Sequence, residues 1–268
     1  MLQKIPVDAS VTLCYKSIGE FNSNLPLLLF LHEGLGSIAQ WKNFPQNLCN
    51  KLRLPGLIYE RYGYGHSTPL QEEREDHYLE KEAEYYLPLL IEKLNLQNRL
   101  IILIGHSDGA TIALLYAAVF PKNIVYVVSM AAHVFWEQIS ADSAAKLEVK
   151  YKHHTEFREK FRKYHLSHSD NTLFSFTKTI TRKSFQKWNV EHYLDKIESP
   201  ILILQGKNDH YGTEKQVQSI LKNTKHDLNR FLFIDDCGHS PHLEKESTVI
   251  EQIVKLHEDV HKTLPLNR

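Results

Sequence analysis

The sequence predicts an α/β fold: a mostly parallel sheet with helices on both faces and a helical segment inserted between two strands. Three observations carry this. Short aliphatic runs such as Leu27–Leu31 and Ile101–Ile104 alternate with segments of helical periodicity. Runs that are apolar at every position suit strands buried on both faces. The second run turns through Gly105-His106-Ser107-Asp108-Gly109 straight into a helical pattern, Thr111–Val119. From His133 to about Lys196 the alternation stops and glycine is absent. The chain therefore divides into a core, residues 1–132 and 197–268, and a helical insertion, residues 133–196.

The elements follow in order. Val11–Ile18 alternates apolar and polar residues, as a half-buried strand does, and a strand near Lys4–Val7 can pair with it. Gly19–Asn24 is a turn-rich break. After Leu27–Leu31 comes a Gly-rich loop, His32 to Ser37. Ser37 is placed to cap a helix carrying Ile38, Trp41, Phe44 and Leu48. Gly56–Glu60 reads as a strand, residues 61–67 as a loop, and Glu72–Asp76 as a solvated charged stretch. Tyr78–Leu94 reads as a helix kinked by Pro88. Ile124–Met130 is a buried strand. In the insertion, Phe157, Phe161 and Tyr164 lie at helical spacing among Lys150, Lys152, Arg158, Lys160, Arg162 and Lys163. Alternation then resumes with the strand Ile201–Leu204, the helix Thr213–Leu221, the strand Phe231–Ile234 and a helix over Pro241–Lys262.

Composition narrows the partners. Lys and Arg number 32, as do Asp and Glu, so the formal charge is +0 and no global field favours nucleic acid or an anionic membrane. Cys14, Cys49 and Cys237 are odd in number and far apart, which fits a reduced cytoplasm better than a disulfide framework. The N-terminus has no apolar leader, and no run approaches the roughly 20 residues that span a bilayer. Histidines number 16, but none has metal-site spacing such as H-E-x-x-H.

In parallel sheets of this kind, ligands bind beyond the carboxyl ends of the strands. Gly105, Ser107 and Gly109 form G-x-S-x-G between a strand and a helix. The turn is so sharp that side chains two positions either side of the serine would collide, and it leaves the hydroxyl exposed at the strand end. With this motif the chain resembles the α/β-hydrolase fold family, over nearly its whole length outside the insertion. Members present serine, acid and histidine in that order. The resemblance implies Ser107 as nucleophile, Asp209 as acid after the strand Ile201–Leu204, and His239 as base in Asp235-Asp236-Cys237-Gly238-His239-Ser240-Pro241. Asp235 and Asp236 compete with Asp209, and His242 with His239; strand-end position and the preceding Gly238 favour Asp209 and His239. Cys237 reads as a small packed residue. The resemblance also implies an oxyanion hole made by the Asp108 amide and by that of Gly34, with Leu35 next, although Glu33 stands where glycine is usual.

Two acids beside an oxyanion are unusual. Either Glu33 and Asp108 are neutralised by neighbours such as Arg61 and His106, or they receive an amine-bearing substrate. The Ser-Asp pair resembles that of valacyclovir hydrolase-like esterases, whose substrates are amino-acid esters. The core with a small basic helical insertion is similar to esterases that cleave pimeloyl-acyl carrier protein methyl ester, which implies an acyl carrier protein as partner. The plainer reading is a solvated basic face over an aromatic stripe. Glu33, Leu35, His133 and Trp136 are expected to line the substrate pocket, with Phe135 and Trp188 near it. The expected function is a serine-dependent carboxylesterase acting on a small or carrier-bound ester through an acyl-serine, without metal or organic cofactor. The alternatives are a carbon–carbon bond hydrolase of the meta-cleavage-product type and a non-catalytic binding scaffold of the same fold. Dehalogenase-like relatives carry aspartate where this chain has Ser107.

Overall fold

The aliphatic runs pair into one sheet. The computed structural model describes residues 1–263. Its strands are β1 (Gln3–Pro6), β2 (Thr12–Ile18), β3 (Leu27–Leu31), β4 (Gly56–Glu60), β5 (Ile101–His106), β6 (Ile124–Met130), β7 (Ile201–Gly206) and β8 (Arg230–Ile234). They lie in the order β1-β2-β4-β3-β5-β6-β7-β8. β2 runs antiparallel to both of its neighbours, and every later pair is parallel.

Side chains alternate across each strand and so feed two separate cores. Leu27, Leu29, Leu31, Ile101 and Leu103 point to one face, and Leu28, Phe30, Ile102 and Ile104 to the other. The helices on the first face are α2 (Tyr78–Lys81), α3 (Leu87–Lys93), α4 (Asp108–Val119) and α8 (Glu214–Asn223). The second face is covered by α1 (Phe44–Leu52) and α10 (Glu246–Thr263), whose Val249, Ile253, Leu256 and Val260 form the buried stripe. α4 is buried almost all round, as expected for the helix at the middle of the sheet.

Between β6 and β7 the chain forms α5 (Gln138–His153), α6 (Thr155–His165) and α7 (Ser169–Thr181), followed by short 3-10 turns and no strand of the sheet. The segment leaves and returns through a narrow neck, where Val190 N–H donates to Val134 O at 2.8 Å and Trp136 N–H to Trp188 O at 3.1 Å. His165 ties it to the core. Its Nδ1 accepts the Gly65 N–H at 3.1 Å, and its Nε2–H donates to Leu35 O at 3.0 Å. That pattern needs a neutral ring, and burial lowers the His165 pKa to about 4.

Several local expectations are corrected. Ser37 makes no side-chain cap, and Ile38–Trp41 is a 3-10 turn set apart from α1 by a left-handed Lys42. The helix after Tyr78 does run on to Lys93, as expected, with a π turn, Glu82–Tyr86, just before Pro88. The last helix is broken at Lys245, giving α9 (Pro241–Glu244) before α10.

The tightest approach in the sheet is Gly109 of α4 against the end of β3. A Cβ there would lie 1.9 Å from the carbonyl oxygen of Leu31, a backbone atom that cannot rotate away. Gly109→Ala is expected to cost on the order of 3 kcal/mol or more. Thermal unfolding would show this as a midpoint lowered by roughly 10 °C, or as loss of soluble protein. An unchanged midpoint would contradict the packing described.

Candidate active site

β5 ends on a residue that no regular element tolerates. Ser107 adopts φ 52° and ψ −120°, and its N–H donates to Met130 O at 2.8 Å. A non-glycine residue at positive φ is held there only by its surroundings. Gly105 supplies the rest of the turn, since a Cβ on it would meet the Gly109 carbonyl at 2.3 Å. The Ser107 hydroxyl therefore stands above the carboxyl ends of the strands, where it lines two cavities.

The loops after β7 and β8 bring their side chains to it. His239 Nε2 lies 2.9 Å from Ser107 Oγ, and His239 Nδ1 lies 2.8 Å from Asp209 Oδ2. Asp209 is itself held: Oδ1 accepts the Tyr211 N–H at 2.8 Å, and Oδ2 accepts from Gln205 at 2.6 Å. Burial works against its charge, but the His239 hydrogen bond and the Tyr211 amide outweigh that and lower its pKa to about 2. Burial, helped by His106 and His133 nearby, lowers the His239 pKa from its ordinary value, with Asp209 opposing. The ring is thus neutral at pH 7. Nδ1 then carries the hydrogen toward Asp209 and Nε2 accepts from the serine.

The competing residues are engaged elsewhere. Asp235 pairs with Lys207 at 2.6 Å, and Asp236 is an exposed turn residue at φ 49°. His242 lies in α9 with its ring 4.7 Å from that of Trp41. Cys237 is fully buried, and burial raises its thiol pKa to about 11.

The two acids both have partners. The Asp108 carboxylate accepts from Arg61 at 3.3 Å and from the Tyr78 hydroxyl at 2.9 Å. The same Arg61 Nη2 donates to Glu33 O at 2.8 Å. Glu33 Oε2 lies 3.5 Å from His106 Nδ1, and its carboxyl is held well below the usual range: burial opposes this, but the neighbouring His106 outweighs it. Arg61 thus neutralises Asp108, as one of the two sequence-based readings expects, while the Glu33 carboxylate lies against His106 and also lines the larger cavity. Among the described residues, the backbone N–H groups of Gly34, Leu35 and Asp108 make no hydrogen bond.

The predicted lining residues fall into two groups. Glu33 and Leu35 line a cavity of about 670 Å³, and His133 and Trp136 line one of about 50 Å³. Sequence reading missed Phe176 and Tyr211, which both line the two cavities; the Tyr211 ring lies 4.6 Å from that of His239. No motif marks either residue; only the fold brings them to the serine. Cys14, Glu60 and His66 also converge, with ligand atoms within 4.8 Å. However, the Glu60 oxygens already accept the Ile38 and His66 N–H groups, and burial raises the Cys14 thiol pKa to about 12. This cluster pins the loop after β4.

The comparisons agree with the fold. A model of the alpha/beta hydrolase family matches residues 28–252, and the chain belongs to that family. It is 26% identical to the "Putative esterase/lipase 2" of Mycoplasma genitalium, over 88% of this chain and 90% of that one. It is 24% identical to the serine hydrolase BPHL of Mus musculus, over 87% and 78%. A thermophilic esterase from Thermogutta terrifontis superposes with a TM-score of 0.71 at 20% identity, over 97% of this chain and 99% of that one. No described helix is long and apolar enough to cross a membrane.

The Arg61–Asp108 pair is buried, with side chains 1% and 9% exposed. Removing one partner leaves the other charge uncompensated. Asp108→Ala is therefore expected to lower stability by about 3 kcal/mol, measured by denaturant unfolding. A carboxylate kept free for substrate would instead be lost at almost no cost in stability.

Proposed function

We propose that this protein is a serine esterase that cleaves a small carboxylic ester. The observation that carries the reading is the unbroken relay from Ser107 Oγ through His239 to Asp209, at 2.9 Å and 2.8 Å. Ser107 attacks the carbonyl carbon while His239 takes its proton. Asp209 holds the ring in the useful tautomer and stabilises the imidazolium. The Asp108 and Gly34 amides receive the negative charge on the carbonyl oxygen; one such donor is typically worth ~10²–10³ in turnover. The tetrahedral adduct collapses, the C–O bond breaks, and His239 hands its proton to the departing alkoxide. Water, deprotonated by the same histidine, then releases the acid and restores the serine. No step calls for a metal or organic cofactor. Residues 133–196 act as a cap over a core made of 1–132 and 197–268. The names of the two relatives, esterase/lipase and serine hydrolase, support the same reading.

Purified protein is expected to hydrolyse p-nitrophenyl esters, and Ser107→Ala to reduce this by on the order of 10⁴-fold or more. A fluorophosphonate probe labels Ser107 in the native chain and not in the variant. Because the His239 pKa is lowered, the neutral base persists as pH falls, so the acid limb of kcat/KM lies below 6.5. Absence of both turnover and labelling would favour a non-catalytic scaffold.

One observation favours a second reading, an anionic substrate of which an acyl carrier protein is the macromolecular form. Lys42, Lys150 and Lys160 line the large cavity. Lys42 meets the Tyr164 hydroxyl at 3.0 Å, and Lys150 lies over the Phe157 ring at 4.9 Å. Among the described residues no carboxylate lies within 4.0 Å of any of the three. Charge reversal at Lys150 and Lys160 together is expected to lower kcat/KM for a carrier-borne ester roughly 10-fold at low salt, sparing a neutral ester. Equal rates on both would remove the carrier.

A further inference from the structure

Resting on the esterase reading, the geometry points to a substrate with a short acyl group and a bulky alcohol, sorted by Phe176. Ser107 opens onto two unequal spaces, about 670 Å³ and about 50 Å³, and the Phe176 side chain from α7 lines both. The ring lies over the loop after β3, with its Cε2 2.3 Å from where a Cβ on Gly34 would sit. It thus stands as a partition beside the serine and the Gly34 amide.

The small chamber is narrow and walled by aromatic side chains held in place. Trp136 Nε1–H donates to Ile180 O at 3.1 Å, and Trp188 Nε1–H donates to Glu80 at 3.2 Å. The Phe185 and Trp188 rings stack at 5.3 Å. At about 50 Å³ this chamber is far smaller than its neighbour, and its size suits a short acyl chain. The large chamber is open to solvent and carries the three lysines at its edge.

The position of His239 decides which half of the ester enters which space. His239, Gly238 and Ser240 line the large chamber, whereas Asp108 and His133 line the small one. The imidazolium must reach the leaving oxygen, and the hydrolytic water must later reach the same nitrogen. Both therefore use the large, open side. The acyl substituent is left with the small chamber, and rejection of longer acids follows from its narrow walls.

Two ester series test this. In one the acyl group runs from acetyl to octanoyl on p-nitrophenol; in the other acetate is fixed and the alcohol grows from methyl to naphthyl. kcat/KM is expected to fall at least ~10-fold beyond butyryl in the first and to hold or rise in the second. Phe176→Ala removes the α7 side chain between the chambers, leaving Tyr211, and is expected to raise the octanoyl-to-acetyl ratio by roughly 10-fold or more. Phe176→Leu, which retains more packing, moves the ratio in the same direction by less, and thermal unfolding verifies that both variants are folded. A native enzyme that accepts long acids but rejects bulky alcohols overturns the assignment, as does an unmoved ratio in a folded variant. If no ester of either series is cleaved and the fluorophosphonate leaves Ser107 unlabelled, the esterase reading itself falls, and this one with it.

Discussion

The close packing of α4 on the end of β3 is the constraint from which the site is built. Gly109 lets the helix backbone come within contact of Leu31, and Gly105 lets the chain reverse without a side chain in the way. The strain this imposes is concentrated on Ser107, which is held at positive φ by the sheet on one side and the helix on the other. A nucleophile on such a turn is fixed in place before substrate arrives, so orientation need not be achieved during the reaction.

Around that turn, charge is arranged so that the space above the serine is not itself strongly acidic. Arg61 spans Asp108 and the Glu33 carbonyl, and it joins the loop after β3 to the start of α4. His32 reinforces the link, its Nδ1 donating to Glu33 O at 2.8 Å and its Nε2 accepting the Arg61 N–H at 3.1 Å. The acid after the serine is therefore a structural anion, and the Glu33 carbonyl is the second anchor; together they hold the loop after β3 and the start of α4 in register.

The inserted helices complete what the sheet begins. His165 fastens them to the loops at Gly65 and Leu35, and Phe176 reaches down beside the serine. The core thus supplies Ser107, Asp209 and His239 just beyond its strand ends, while the inserted helices wall the cavities beside them. This division explains how one scaffold serves many substrates, because the insertion can change without disturbing the relay.

The sequence by itself determined the alternation of buried strands and helices, the elbow at Ser107, and the order in which serine, aspartate and histidine occur. Each of these is written in short stretches of chain, where periodicity, glycine spacing and strand ends are visible. Tertiary structure decided the rest. Whether Asp108 faces substrate or a neighbour depended on Arg61, which comes from the loop after β4. Ser37 looked like a cap, but the chain beyond it forms a 3-10 turn packed against the sheet. Phe176 and Tyr211 carry no local mark, and their roles arise only where remote elements meet. Contacts between segments far apart in the chain depend on the packing of the whole sheet, which no local pattern encodes.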